Sequence, residues 1–160
     1  MNSKSAPFHD LHVQTTRGND MSAKSGKRNI LQRILGLPAT PKPANPQCWS
    51  YAQGLLSIDL ALAPELASPG GALRFEGSGL PKRILVFMAD DEKYYALHNR
   101  CTHLGHRRLD PVPEENKVQC CSVGQSSYDL QGNNLSGPAR HPIQTYDVRV
   151  ENNSLLIEVS

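Results

Sequence analysis

Cys101-Thr102-His103-Leu104-Gly105-His106 sets a thiol and an imidazole two residues apart, with another imidazole three residues on. Cys120 follows His103 by seventeen residues, within Val118-Gln119-Cys120-Cys121-Ser122-Val123-Gly124-Gln125-Ser126-Ser127-Tyr128-Asp129. Thiolate sulfur and neutral imidazole nitrogen are the soft and borderline donors that iron and zinc take. Two short loops offering such donors are a plausible holder for a metal centre. A loop turns side chains and backbone amides around a centre, whereas a regular strand points them away from it. In a reducing compartment, four cysteines (Cys48, Cys101, Cys120, Cys121) suit metal or redox chemistry better than a disulfide framework. Adjacent Cys120 and Cys121 would in any case make a strained bridge with each other.

The elements that must position these loops read as short strands and turns. Leu55 to Leu60 alternates as Leu-Leu-Ser-Ile-Asp-Leu, and Ala72 to Glu76 lies between Gly70-Gly71 and Gly77-Ser78-Gly79. Arg83 to Met88 and Tyr94 to Leu97 flank an Ala-Asp-Asp-Glu turn, the pattern of a hairpin. Tyr146 to Val150 and Leu155 to Val159 flank Glu151-Asn152-Asn153-Ser154, a second hairpin with suitable turn chemistry. Strands this short, without helical periods between them, predict an all-β antiparallel sandwich or small barrel. The two candidate loops fall between the hairpins, the first directly after a predicted strand.

The chain in front has another character. Residues 1–28 are rich in Ser, Lys, Asn and Gly, too polar to order themselves, and Met21 offers a second plausible start. From Arg28 to Leu37 the apolar Ile30, Leu31, Ile34 and Leu35 share one helical face, opposite Arg28, Gln32 and Arg33, until Pro38 stops the helix. Docking of this face on the chain's own domain is the plainer expectation; docking on a partner or a membrane surface is the other. Pro38, Pro41, Pro43 and Pro46 make a stiff linker. The expected division is therefore a tail over 1–28, helix and linker over 29–48, and a β domain over 49–160.

Residues 1–48 carry seven Lys or Arg against Asp10 and Asp20, a net of +5, while the remainder carries ten against thirteen acids, a net of −3. Without basic-plus-aromatic clustering this asymmetry does not predict nucleic-acid binding. No apolar run approaches the roughly 18 residues of a membrane span, and Met1 to Asn29 lacks the apolar stretch of a secretory signal. A cytoplasmic location is expected.

The two loops and their surroundings resemble the Rieske family of iron–sulfur domains. That family carries Cys-x-His-x-Gly in one loop and Cys-x-x-His-Gly-Ser-x-Tyr/Phe-Asp in the next, with two Cys on one iron and two His on the other of a 2Fe-2S cluster. Cys101, His103 and Gly105 match the first motif in full. Tyr95 to Arg100 is similar to the strand entering it, and Leu135-Ser136-Gly137-Pro138-Ala139 to the proline loop after the second. The resemblance spans about residues 55–160 and implies a Rieske-like fold with two cluster-binding loops at one end. By the same resemblance, Ser126 and Tyr128 match hydroxyls that donate towards cluster and cysteine sulfur, which raises the potential.

The second loop departs from the pattern. Alignment on Ser126, Tyr128 and Asp129 puts Cys121 at the cysteine, Gly124 at the histidine and Gln125 at the glycine. Alignment on Cys120 and Gly124 instead puts Val123 at the histidine and needs a one-residue insertion. Either way the second histidine is missing. The positions of an extra disulfide found in some members fall on His106 and Val123, so that bridge is absent too.

Three readings stay open. A 2Fe-2S cluster is held by Cys101, His103 and Cys120 or Cys121, with the other cysteine, His106 or a partner's group completing the outer iron. Alternatively, Cys101, His103, His106 and a later cysteine hold one tetrahedral zinc. Finally, the domain is a metal-free binding module with ordinary buried thiols. The first implies one-electron transfer, as a Rieske-type ferredoxin or small oxidoreductase subunit working with a reductase or terminal acceptor. No nucleotide-binding glycine loop, oxygenase-type second metal site or nucleophile–base pair predicts a free-standing enzyme. His98 and His141 read as surface or strand-edge residues, Trp49 as packing on the sheet, and Arg107-Arg108 as solvated charge or a rim near the cluster.

Overall fold

The computed structural model describes residues 30–77 and 79–159; the tail expected over 1–28, with Met21 and Arg28, lies outside the described residues. Their strands are β1 (Trp49–Ala52), β2 (Leu55–Asp59), β3 (Ala72–Phe75), β4 (Ile84–Met88), β5 (Tyr94–His98) and β6 (Leu109–Val112). β7 (Lys117–Cys120), β8 (Ser127–Asp129), β9 (Asn134–Ser136), β10 (Thr145–Tyr146), β11 (Val148–Glu151) and β12 (Ser154–Glu158) complete the set. They form three four-stranded sheets with the orders β1-β2-β12-β11, β10-β5-β4-β3 and β6-β7-β8-β9, antiparallel throughout.

The middle sheet is buried on both faces, which explains why β4 reads as the unbroken apolar run Ile-Leu-Val-Phe-Met instead of alternating. Ile84 and Val86 join Leu73, Phe75, Leu56, Ile58, Leu155 and Ile157 in one core. The opposite residues, Leu85 and Phe87, join Leu97, Leu109, Val118 and Tyr128 in the other. Each fully buried Leu, Ile or Phe stabilises the fold by about 1.5–3 kcal/mol relative to exposure. Trp49 packs edge-on against Phe75, with ring centroids 5.6 Å apart, and Cys48 is buried beside it. The 94–97 and 83–88 strands pair as expected. The other expected hairpin is subdivided: Tyr146 pairs with Ala96 on β5 and Val148 with Ile157 on β12, so Asp147 marks the crossing from one sheet to another.

The helix runs over Ile30–Leu35 and ends in a Schellman arrangement. Gly36 N–H donates to Arg33 O, Leu37 N–H donates to Gln32 O, and Gly36 takes the left-handed φ of +65°. The expected docking of its apolar face on the domain does not occur. Ile30, Leu31, Ile34 and Leu35 remain 65%, 60%, 56% and 59% exposed. The attachment runs through main-chain carbonyls instead: Arg107 Nη1 donates to Leu35 O at 2.8 Å and the Cys121 thiol to Gly36 O at 3.2 Å. The segment that follows is pinned as well. Thr40 N–H donates to buried Asp110 at 2.8 Å, and Arg74 donates from Nε to Thr40 O and from its main chain to Pro41 O, both at 2.9 Å.

Tyr146 is buried with a hydroxyl that has no partner among the described residues, and burial pushes its phenol up to about 12. The folded state therefore favours the neutral phenol. That contribution is complete below the unfolded value of about 10 and is lost as pH rises from there towards 12. Tyr146→Phe is expected to raise neutral-pH stability by about 1 kcal/mol and to move alkaline unfolding, followed by circular dichroism, to higher pH. An unchanged alkaline midpoint would mean that Tyr146 does not titrate on unfolding.

Candidate metal centre

The first loop leaves β5 at Asn99, whose buried side chain accepts from Leu109 N–H at 2.7 Å and so ties the two flanks together. Cys101 N–H donates to Arg107 O at 3.0 Å and closes the loop. Arg83 holds the tip, donating to Gly105 O at 2.8 Å and His106 O at 3.3 Å. Arg108 donates to His106 O at 3.0 Å and pairs with Glu76 at 2.5 Å. Arg107 and Arg108 are thus half-buried ties rather than solvated charge. Burial works against ionisation of Glu76, but Arg108 and Arg74 outweigh it and hold the carboxyl below its ordinary range.

The second loop starts where β7 ends. Strand alternation turns Val118 and Cys120 into the core, and Cys120 N–H donates to Ser126 O at 2.8 Å to close the base. Gln125 N–H donates to Ser122 O at 3.2 Å, with Gln125 in the left-handed region at φ 47°. Ser126 Oγ accepts from Ala139 N–H at 3.0 Å, so the proline loop hangs on the second loop.

Between the loops, the buried thiols of Cys101 and Cys120 meet. The Cys120 thiol beside it, together with burial, pushes the Cys101 thiol up to about 12. Cys120 is raised too, Cys121 and burial outweighing the lowering influence of Cys101. Two such thiols ionise together only when a cation replaces their protons. Tyr128 OH lies 3.6 Å from Cys101 Sγ, accepts from Thr102 N–H at 3.2 Å and sits 3.0 Å from Thr102 Oγ1. Burial pushes this phenol up to about 12, so it keeps its proton. A Cys101 thiolate has none, so in that pair Tyr128 is the donor, its single proton shared with Thr102 Oγ1, whose own proton goes to His141 O. Thr102, whose Oγ1 also donates to His141 O at 2.7 Å, is a site residue that the sequence reading passed over. Its position between the two ligand types was the available signal.

His103, two residues after Cys101, is exposed. Facing it is Gly124: a Cβ built there would lie 3.7 Å from His103 Cε1 and 3.1 Å from Pro138 Cγ. Cys121 is buried with its thiol on Gly36 O and beside Cys120, and the His106 and His141 side chains are exposed. None of the four cysteines is in a disulfide. Among the described residues no three His, Cys, Asp or Glu side chains converge as a preformed metal-holding group. No described helix is long and apolar enough to cross a membrane.

The family model for the Rieske [2Fe-2S] domain matches residues 61–147. The chain belongs to the Rieske [2Fe-2S] domain family. A Rieske relative, the ferredoxin component of the naphthalene 1,2-dioxygenase system of Pseudomonas putida, is 31% identical over 80 residues, 49% of this chain and 75% of that protein. The ferredoxin subunit of the 3-phenylpropionate/cinnamic acid dioxygenase of Escherichia coli K12 is 31% identical over 91 residues, 56% of this chain and 82% of that one. Among solved structures, the ferredoxin of carbazole 1,9a-dioxygenase from Nocardioides aromaticivorans IC177 superposes with a TM-score of 0.47 at 22% identity, covering 58% of this chain and 88% of its own.

The Rieske cofactor implied is a 2Fe-2S cluster. The donor set fits it on one side and half of the other: two meeting buried thiols for the inner iron, His103 for the outer, and a hydroxyl donor on Cys101 sulfur.

Proposed function

We propose that this Rieske domain carries single electrons between protein partners, a reductase on one side and a terminal acceptor such as an oxygenase on the other. The observation that carries the reading is the buried Cys101–Cys120 thiol pair, with exposed His103 two residues along the same loop. The cluster supplies one-electron redox chemistry. Cys101 and Cys120, both buried, would hold one iron through thiolate sulfur and keep water from it. His103, exposed, would hold the other iron where a partner comes within reach. Tyr128 donates to Cys101 sulfur, which favours the reduced state and raises the potential. Arg83 and Asn99 fix the first loop and with it the positions of Cys101 and His103. The redox unit is residues 49–160, with the segment before it tied on at Leu35, Gly36, Thr40 and Pro41, and four reduced thiols suit the cytoplasm.

Anaerobic purification followed by iron and acid-labile sulfide analysis tests this. Two irons, two sulfides and a rhombic EPR signal on reduction are expected. No metal after anaerobic reconstitution would turn the protein into a binding module on a Rieske scaffold, the reading that Gly124 at the histidine position favours. In loaded protein, Tyr128→Phe is expected to lower the midpoint potential measured by redox titration while leaving the iron content unchanged. An unaltered potential would remove Tyr128 from the sulfur's surroundings.

A further inference from the structure

The helix Ile30–Leu35 lies on the domain the wrong way round for an amphipathic helix that packs on a core. Arg33 and Gly36, about one turn apart, are its half-buried positions. Ile30, Leu31, Ile34, Leu35 and the following Leu37 are instead 51% to 65% exposed. Single apolar side chains are ordinary on a surface, but four on one helical face form a patch. The patch is held ready. A helix this short would not persist alone, and here the Schellman turn closes it while Arg107 and Cys121 bind Leu35 O and Gly36 O.

We propose that this face docks on an anionic phospholipid bilayer. The inference stands apart from the electron-carrier reading, since it needs no cluster. Charge selects the occupant. From Met21 to Ile58 the chain carries Lys24, Lys27, Arg28, Arg33 and Lys42 and not one Asp or Glu. A cationic stretch around an apolar face is drawn to anionic headgroups while its Leu and Ile side chains enter the acyl boundary. Size selects the same occupant. A specific protein interface engages about 20–30 residues a side. This patch offers five, and a lipid surface asks for no shape complementarity. Arg107 and Cys121 belong to the two candidate metal loops, so a docked helix holds that end of the domain at the membrane surface.

The test mixes the full chain with vesicles of phosphatidylcholine alone, or of phosphatidylcholine and phosphatidylglycerol in equal parts, and reads the bound fraction by sedimentation. Binding to the anionic vesicles is expected, weaker on phosphatidylcholine alone and weakened by added salt. The double variant Leu31→Gln, Ile34→Gln should bind on the order of 100-fold more weakly, about tenfold for each apolar side chain withdrawn from lipid. Leu31→Phe keeps the face apolar and should bind as the parent does. Val150→Gln, at a 59% exposed position on β11 outside the patch, should leave binding unchanged.

No binding to either vesicle overturns the proposal. A parent that sediments as a dimer, beside a monomeric double variant, then makes a second copy the occupant. A parent that is monomeric leaves the face to another protein or to the chain's own residues 1–28. Binding that survives in the double variant overturns the proposal differently, because the basic stretch alone then suffices. Equal, salt-insensitive binding to both vesicles overturns the choice of an anionic surface. None of these outcomes bears on the iron and sulfide analysis, so membrane docking and electron transfer fail separately.

Discussion

Cys101→Ser is expected to yield folded protein without a cluster, and Cys120→Ser the same, while Cys121→Ser retains iron at the parent level. Serine keeps the shape of the side chain but does not ionise near neutrality, so one of two inner-iron thiolates disappears. The loss of affinity should exceed the roughly 10–100-fold that removal of an outer hydrogen-bonding partner costs. Cys121 stands apart because its thiol is engaged with Gly36 O at 3.2 Å, a bond that a serine hydroxyl can make equally well. Iron and sulfide per chain, measured beside the visible spectrum, separate the three variants. An iron-free Cys121→Ser beside a loaded Cys120→Ser would exchange the roles of the two residues. His103→Ala should lose the cluster as well, and His141→Ala should keep it.

The contrast between Cys120 and Cys121 also marks where sequence reasoning stops. The type of centre was legible from an ordered set of local patterns, Cys101-x-His103-x-Gly105 followed by the cysteines, Ser126, Tyr128 and Asp129 of the second loop, and not from the Cys-x-His spacing alone. Which adjacent cysteine turns inward depends on where β7 ends. That in turn depends on Val118 facing the core and Cys120 N–H reaching Ser126 O across the loop. A gapless alignment favoured Cys121; the strand's alternation favours Cys120.

The amphipathic helix shows a second kind of limit. Periodicity tells which face is apolar, but not whether anything covers it, and here nothing among the described residues does. The attachment of residues 35–41 rests on Arg107, Cys121, Asp110 and Arg74, partners 33 or more positions away that no local pattern announces. The run Ile84–Met88 was legible as a strand, yet its burial on both faces, and with it the three-sheet arrangement, required seeing what packs on each side.

Gly137→Ala is expected to destabilise the domain on the order of 2–4 kcal/mol and to release the cluster. Gly137 has φ +85°, and a Cβ there would stand 2.5 Å from Ser126 Cα and 2.8 Å from Ser126 N. Those atoms belong to a main chain that cannot swing aside. Ser126 O closes the second loop on Cys120 N–H and Ser126 Oγ holds Ala139 N–H, so a displaced Ser126 carries Cys120 away from Cys101. Gly54→Ala isolates the backbone part of this effect. Gly54 has φ +83° but nothing within 4 Å of its Cβ position, so it should cost only the left-handed strain, about 1 kcal/mol. Denaturant unfolding of both variants, with iron content measured in parallel, reads the difference. Equal destabilisation would show that the proline loop yields to a methyl group; a larger loss for Gly137→Ala, accompanied by lost iron, ties the position of Cys120 to a glycine seventeen residues further along the chain.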